Sequence, residues 1–271
     1  MLDFELRQKG ALKFLVIPSF EKTGLVKHGF STRLGGVSRG AFESLNLGLK
    51  KTDEKEMVLE NYRRFCDAIG VDMNDLVASD QVHGDDIYEA FLQDRGKGIN
   101  RESDIISKDA LMTGQKGVAL VTFYADCVPL FFLDVRTPAI ALAHAGWRGT
   151  VKKIGQKTVI QMMKKYGSKP EDILVGIGPC IKSCCYEVDN PVVEEFKKAF
   201  SCLKELIEER GADHWMLDLV KANKKQLEEI GIKPENITVS HYCTCCSSDM
   251  FFSYRADHGK TGSLAAVIEL V

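Results

Sequence analysis

Residues Gly117 to Thr150 read GVALVTFYADCVPLFFLDVRTPAIALAHAGWRGT. Three apolar runs, GVALVTF (Gly117 to Phe123), VPLFFLD (Val128 to Asp134) and AIALAHA (Ala139 to Ala145), are parted by the turn-like breaks ADC and VRTP. Runs of this length bounded by turn residues predict buried strands. Beyond Gly149 the segment TVKKIGQKTVIQMMKKYG sets Val151, Ile154, Val159 and Met162 at helical spacing and stops at Gly167, which predicts a helix. The local order is strand, turn, helix, with a thiol at one strand break and an imidazole at the end of the third run.

Outward from this stretch, the pattern predicts a helix over Glu56 to Ile69, a strand at DILVGIG (Asp172 to Gly178), and helices over Pro191 to Phe200 and Leu217 to Ile230. ITVSHY and SLAAVIEL predict strands near the end. Strands clustered in the middle and mixed with helices favour an α+β fold, a mixed β-sheet sandwich with flanking helices, over a strictly alternating doubly wound sheet. No internal repeat or low-complexity linker divides the chain, so a single domain spanning 1–271 is expected. GFSTRLGGVSRGAF (Gly29 to Phe42) has the composition of a binding loop.

Of 271 residues, 45% are hydrophobic, enough to bury a large core. Lys and Arg total 36 against 38 acids, a net charge of −2, so no chain-wide footprint for nucleic acid exists. The start, MLDFELRQKGALKF, lacks the layout of a secretory signal. The most apolar stretch, Val118 to Leu133, is interrupted by Asp126 and Pro129 and falls short of a membrane span. The expectation is a soluble, cytoplasmic protein with a small partner and no membrane. Nine cysteines in such a compartment argue against a disulfide framework.

Three residues stand where strands end: His83 in SDQVHGDD, Cys127 in YADCVP, and His144 before AGWRG. Two imidazoles and one thiolate are a donor set that a catalytic Zn2+ accepts, leaving a fourth position open. The spacing is not that of a zinc finger. From spacing alone, a core cysteine and two histidines satisfied by backbone hydrogen bonds account for the same residues.

QVHG (Gln81 to Gly84), ADCVP (Ala125 to Pro129), HAGWRG (His144 to Gly149), IGPCI with CCYEV, LDLVKANKKQL (Leu217 to Leu227) and FFSYRAD (Phe251 to Asp257) resemble the motifs of the bacterial YfiH/YlmD family, in order along nearly the whole chain. HGFSTRLGGVS and SLNLG match as well. That family was first labelled polyphenol oxidoreductase or laccase. The resemblance implies a YfiH-like fold, related to that of the CNF toxins, and a zinc-dependent enzyme of broad activity. Such an enzyme phosphorolyses adenosine, inosine, guanosine and methylthioadenosine and deaminates adenosine, with purine nucleosides and phosphate as its partners. The implied metal ligands, also counted as catalytic, are His83, Cys127 and His144. A four-copper oxidase needs many histidines, typically in His-x-His pairs. Six histidines and no such pair do not supply it, although one Cys/His site can take Cu2+ in vitro.

Phosphorolysis requires an anion held beside a neutral ligand. Arg148 and the amides that open the helix after GWRGT are candidates for that anion. Arg33 in STRLGG, Asn46 in SLNLG and Arg255 in SYRAD are further candidates for substrate contacts. Deamination needs a carboxylate to move protons, and Asp126 is nominated, with Asp85 or Asp86 as substitutes. At the end of the chain Ala256 stands where the family has a second arginine, and His258 is inserted. Cys180, Cys184, Cys185, Cys243, Cys245 and Cys246 are expected to be small buried thiols on the pocket wall, in preference to a second metal site. Cys66 and Cys202 belong to the core pattern, and His28 opens a loop that could face substrate. Two rival functions remain: a hydrolase of cell-wall precursors with Cys127 as nucleophile and His144 as base, and a non-catalytic metal-binding protein.

Overall fold

The computed structural model describes residues 3–50, 52–211 and 213–271. Two of the central runs fall where the pattern puts them: strand Val128–Asp134 pairs antiparallel with strand Ala139–Ala145 along their whole length, Val128 opposite Ala145 and Asp134 opposite Ala139. They form the middle of a six-stranded sheet ordered Ile237–Val239, Ile173–Ile177, Val128–Asp134, Ala139–Ala145, Ala110–Thr113, Ile87–Glu89. The third run, Ala119–Tyr124, lies in a second six-stranded sheet: Glu5–Lys9, Leu12–Val16, Val26–Ser31, Leu264–Leu270, Ala119–Tyr124, Leu76–Ala78. Both sheets are mixed. Leu76–Ala78, Ile87–Glu89 and Ile237–Val239 each join a neighbour in parallel, whereas the other pairings are antiparallel.

Period-2 alternation divides each central strand between two cores. Val128, Leu130, Phe132 and the alanines at 139, 141, 143 and 145 face helices Ile154–Tyr166, Leu219–Glu229 and Asn190–Ala199. Phe131, Leu133, Ile140 and Leu142 face the other way, onto Leu120, Leu264, Ala266 and Ile268 of the second sheet. The outer face of that sheet, with Ala119, Val121, Ala265 and Val267, is covered by Val58, Tyr62 and Phe65 of helix Lys55–Ile69. The result is helix, sheet, sheet, helix, the α+β sandwich expected from the pattern. The alanines admit helix Ile154–Tyr166 close to its strand, where Gly155 lies against Leu130.

The structure departs from the sequence pattern in several places. The helix after GWRGT is two helices, Trp147–Val151 and Ile154–Tyr166, because Lys153 takes a left-handed conformation at φ 62°. The helix that opens at Trp147 is five residues long and carries little macrodipole. The helix expected from Leu217 begins at Leu219, capped by Asp218, which accepts from the Lys221 amide at 2.8 Å. Leu217 instead ends strand His214–Leu217 of a small third sheet with Glu187–Asp189 and Ile207–Glu209. ITVSHY keeps only three strand residues, Ile237–Val239. No helix among the described residues is long and apolar enough to cross a membrane.

His28 does not face a ligand. It sits in strand Val26–Ser31, where Nε2 accepts a 2.7 Å bond from the Ile17 amide and the ring packs on Phe20 and Phe131. Burial lowers its pKa to about 4. Between its ordinary pKa near 6.5 and that value the unfolded chain takes up a proton that the fold refuses, so acid weakens the fold across this window by about 3 kcal/mol. Denaturant midpoints measured from pH 7 to pH 4 are expected to fall less steeply in His28→Gln, whose amide oxygen can accept the same amide without titrating. Equal slopes in the two proteins would refute this.

Candidate active site

The metal-ligand candidates come from three pieces of chain that meet where the two sheets part. Register puts Pro129 opposite His144, so Cys127 lies just beyond the strand end, beside the turn at Gly146. Both side chains point toward the space between the sheets, the side of Phe131 and Leu142. His83 arrives from the loop that follows strand Leu76–Ala78. The nitrogens of His83 and His144 and the Cys127 sulfur lie within 4.8 Å of one another, and the imidazoles meet edge to face with centroids 4.8 Å apart. His83 is exposed to the cleft, Cys127 is half-buried and His144 is buried.

One residue outside the expected set organises this arrangement. Asp109 immediately precedes strand Ala110–Thr113, which pairs with the His144 strand, and its carbonyl accepts the His144 amide at 2.7 Å. Its fully buried carboxylate accepts His144 Nδ1 at 2.8 Å and three successive amides: Val82 at 3.0 Å, His83 at 2.9 Å and Gly84 at 2.7 Å. The amides converge because His83 is left-handed, φ 59°, a conformation that histidine tolerates better than most residues. A single carboxylate thus fixes the backbone of one histidine and the ring of the other. With Nδ1 committed, His144 presents Nε2 to a ligand, the arrangement by which metal-binding histidines are oriented. Gln81 anchors the same loop. Its amide accepts from the Phe123 N–H at 2.8 Å and donates to the Phe123 carbonyl at 3.1 Å.

Burial opposes charge on all three groups, and their mutual contacts outweigh it. Asp109 is held below its ordinary value by His144 and the Gly84 and Val82 amides. Cys127 is lowered by His144 and His83, and His144 is raised by Cys127 and Asp109. Without a metal these contacts favour the thiolate form of Cys127 and the protonated form of His144. A cation takes the imidazolium proton's place, so two imidazole nitrogens and a thiolate suit a single tetrahedral Zn2+ with one open position. The other four histidines do not extend the site: His28 is in the core, and His214, His241 and His258 are exposed. The donor set therefore fits one ion and not a four-copper centre.

A cleft of about 1090 Å³ opens over these residues. Arg148 and Arg255 line it, together with Phe123, Trp147, Tyr186 and Tyr254. Arg148 stacks on Trp147 at 4.3 Å and has no carboxylate within ion-pair distance among the described residues. Arg255 donates to the Cys185 and Glu187 carbonyls and lies over Tyr186 at 5.7 Å. Asp80, paired with Lys50, also lines the cleft. Its place in QVHG's upstream flank, SDQ, was the available signal.

Other expected residues are elsewhere or otherwise engaged. Arg33 is not on the cleft. Its guanidinium donates to the Glu43 and Ser248 carbonyls and stacks on Phe252 at 4.6 Å. Asn46 is buried, accepting the Gly48 and Ser263 amides and donating to Asp53. Both hold loops together, which corrects their assignment to substrate. Asp126 reaches the cleft because the chain turns there at φ 89°. Its oxygens, however, accept the Thr244 hydroxyl at 2.7 Å and the Arg255 amide at 2.8 Å. Asp85 pairs with Lys152 and Lys157, and Asp86 with Lys108, both off the cleft. None of the six clustered cysteines lines the cleft, so their expected place on its wall is also corrected.

A two-sheet sandwich with one His/Cys/His centre at the end of its central hairpin defines a specific class of protein. Residues 27–271 match the family described as multi-copper polyphenol oxidoreductase laccase, and the chain belongs to that family. Purine nucleoside phosphorylase YlmD of Bacillus subtilis is 38% identical over 241 residues, 89% of this chain and 87% of its own length. Human purine nucleoside phosphorylase LACC1 is 32% identical over 265 residues, 95% of this chain and 59% of its own length. Among solved structures, YfiH of Bacillus licheniformis superimposes with a TM-score of 0.93 at 34% identity, covering 98% of this chain and 99% of its own. YlmD of Geobacillus stearothermophilus gives 0.90 at 35%, covering 98% of each.

Replacing Asp109 by Asn removes the charge and turns an NH2 group toward amides that already donate. Zinc affinity, read by competition with a chromogenic chelator, is expected to fall about 10- to 100-fold. Gly146 abuts the site: a methyl there would lie 3.0 Å from the Cys127 sulfur and 3.1 Å from the His83 ring. Gly146→Ala is therefore expected to weaken metal binding with little change in thermal midpoint, and an unchanged affinity would count against the assigned site.

Proposed function

We propose that this chain is a zinc-dependent purine nucleoside phosphorylase acting on adenosine, inosine, guanosine and methylthioadenosine, with adenosine deamination as a second activity. In this reading one domain spanning 1–271 carries the activity, in the cytoplasm, where nine free thiols persist. The observation that carries the reading is the His83, Cys127, His144 centre at the bottom of a cleft lined by two arginines and by aromatic side chains. The names of the relatives supply the reaction class.

Phosphorolysis breaks the bond from C1′ to the purine nitrogen and joins a phosphate oxygen to C1′, while the purine leaves with a proton. Arg148 supplies an unpaired guanidinium for the phosphate, and Arg255, already braced by two carbonyls, presents its remaining charge to the same space. Phe123, Tyr186 and Tyr254 give apolar surface to base and ribose. A zinc ion held by His83, Cys127 and His144 would supply Lewis acidity at its open position. Asp126 is assigned to bracing the wall, since both its oxygens are taken, and Asp80 is the better candidate for moving a proton. Cu2+ accepts the same donors, and metal analysis of the active protein distinguishes the two.

Zinc-loaded protein incubated with inosine is expected to release hypoxanthine only when phosphate is present, and His144→Ala to abolish that release. Arg148→Ala is expected to raise KM for phosphate about ten-fold, with a smaller effect on KM for inosine. Chromatography showing neither base from inosine nor inosine from adenosine would overturn the assignment. A second reading is favoured by one feature: a lowered thiol beside an imidazole oriented by a carboxylate is also the arrangement of a cysteine nucleophile. On that reading, hydrolysis of a cell-wall precursor survives chelation and is lost on alkylation. The third donor, His83, has no role in acyl transfer, which favours the metal.

A further inference from the structure

Outside the cleft, four more thiols converge. The sulfurs of Cys184, Cys185, Cys243 and Cys246 lie within 4.8 Å of one another. Cys184 and Cys185 approach the Cys246 sulfur at 3.5 Å and 3.3 Å. Four thiolates at ~2.3 Å from one tetrahedral Zn2+ stand about 3.8 Å apart, close to the separations seen. An iron–sulfur cluster, with several ions across, needs thiolates spread more widely.

The backbone around the thiols is shaped like a ligand loop on each side. The Cys185 amide donates to the Lys182 carbonyl and the Ser247 amide to the Cys243 carbonyl, closing a tight turn around each pair. The turns are locked together: the backbones of Cys180 and Cys243 pair in an isolated parallel β-bridge, the Thr244 amide donates to the Cys180 carbonyl, and the Lys182 amide donates to the Cys243 sulfur at 3.5 Å. Cys243-x2-Cys246 has the spacing of one half of a structural zinc site. The vicinal pair Cys184 and Cys185 completes the set in space and not in sequence.

We propose that Cys184, Cys185, Cys243 and Cys246 bind a second, structural Zn2+ as a tetrathiolate site, which ties the 181–187 and 243–247 segments into the wall of the cleft. That wall carries Ile181 and Tyr186 on one segment. Arg255 is braced by the Cys185 and Glu187 carbonyls. Thr244 in turn holds Asp126, next to Cys127. The second ion therefore has no open position for substrate and acts on the first site by fixing its frame. The proposal is independent of the reaction catalysed.

Full-length protein purified under reducing conditions is expected to contain two zinc ions per chain by elemental analysis. A Cys127→Ser/His144→Ala variant, which leaves the outer thiols untouched, is expected to retain one. Its cobalt-substituted form should show the sulfur-to-metal charge-transfer intensity of four thiolates. Cys184→Ser/Cys246→Ser is expected to keep one ion at the inner site, with a lowered thermal midpoint and faster proteolysis near residues 181–187. One ion in the wild type and none in the Cys127→Ser/His144→Ala variant would overturn the proposal, as would mass spectrometry showing these cysteines paired as disulfides in the native protein.

Discussion

The Asp109 carboxylate is the constraint on which the inner site depends. A buried charge is costly unless every lone pair is used, and here four donors meet it: one imidazole N–H and three consecutive amides. Those amides can converge only if His83 adopts a left-handed backbone. The cost of that conformation is offset by the bonds it makes. The same carboxylate turns His144 so that its free nitrogen faces His83 and Cys127. Two histidines separated by sixty residues of chain are thus set by one side chain that does not itself line the cleft.

The sandwich supplies the rigid frame for this. Strands Val128–Asp134 and Ala139–Ala145 are buried on both faces, and their register decides where the chain leaves the sheet. Cys127 and Gly146 are the first residues beyond the paired ends, and the lack of a side chain at Gly146 leaves room for the ligands. Asp126, the turn residue before Cys127, then passes the constraint outward: its backbone and side chain hold Ile181, Thr244 and Arg255. The cleft wall and the outer thiol cluster hang on that turn.

Much of the fold was legible in the apolar pattern. Doubly buried strands leave uninterrupted runs, and VPLFFLD and AIALAHA fall on their strands residue for residue. Helix Lys55–Ile69 and strand Leu264–Leu270 were equally plain. The break at Lys153 was not, since a left-handed lysine leaves no mark on helical spacing. Nor was the third sheet, whose short, half-exposed strands carry too little periodicity. In the site, the family motifs named His83, Cys127 and His144, but they also drew in Arg33 and Asn46, which turn out to bind backbone. A motif residue that holds a loop and one that holds a ligand look alike in sequence.

The sequence by itself determined the long buried strands and the residue types available for metal chemistry, because these follow from hydrophobic periodicity and side-chain chemistry that act locally. Tertiary structure alone decided which polar groups meet. Asp109 opposite His144 is a consequence of strand register, and Cys184 and Cys185 beside Cys246 of two distant turns packed together. Such contacts depend on positions set by the whole core, and no single stretch of chain encodes them.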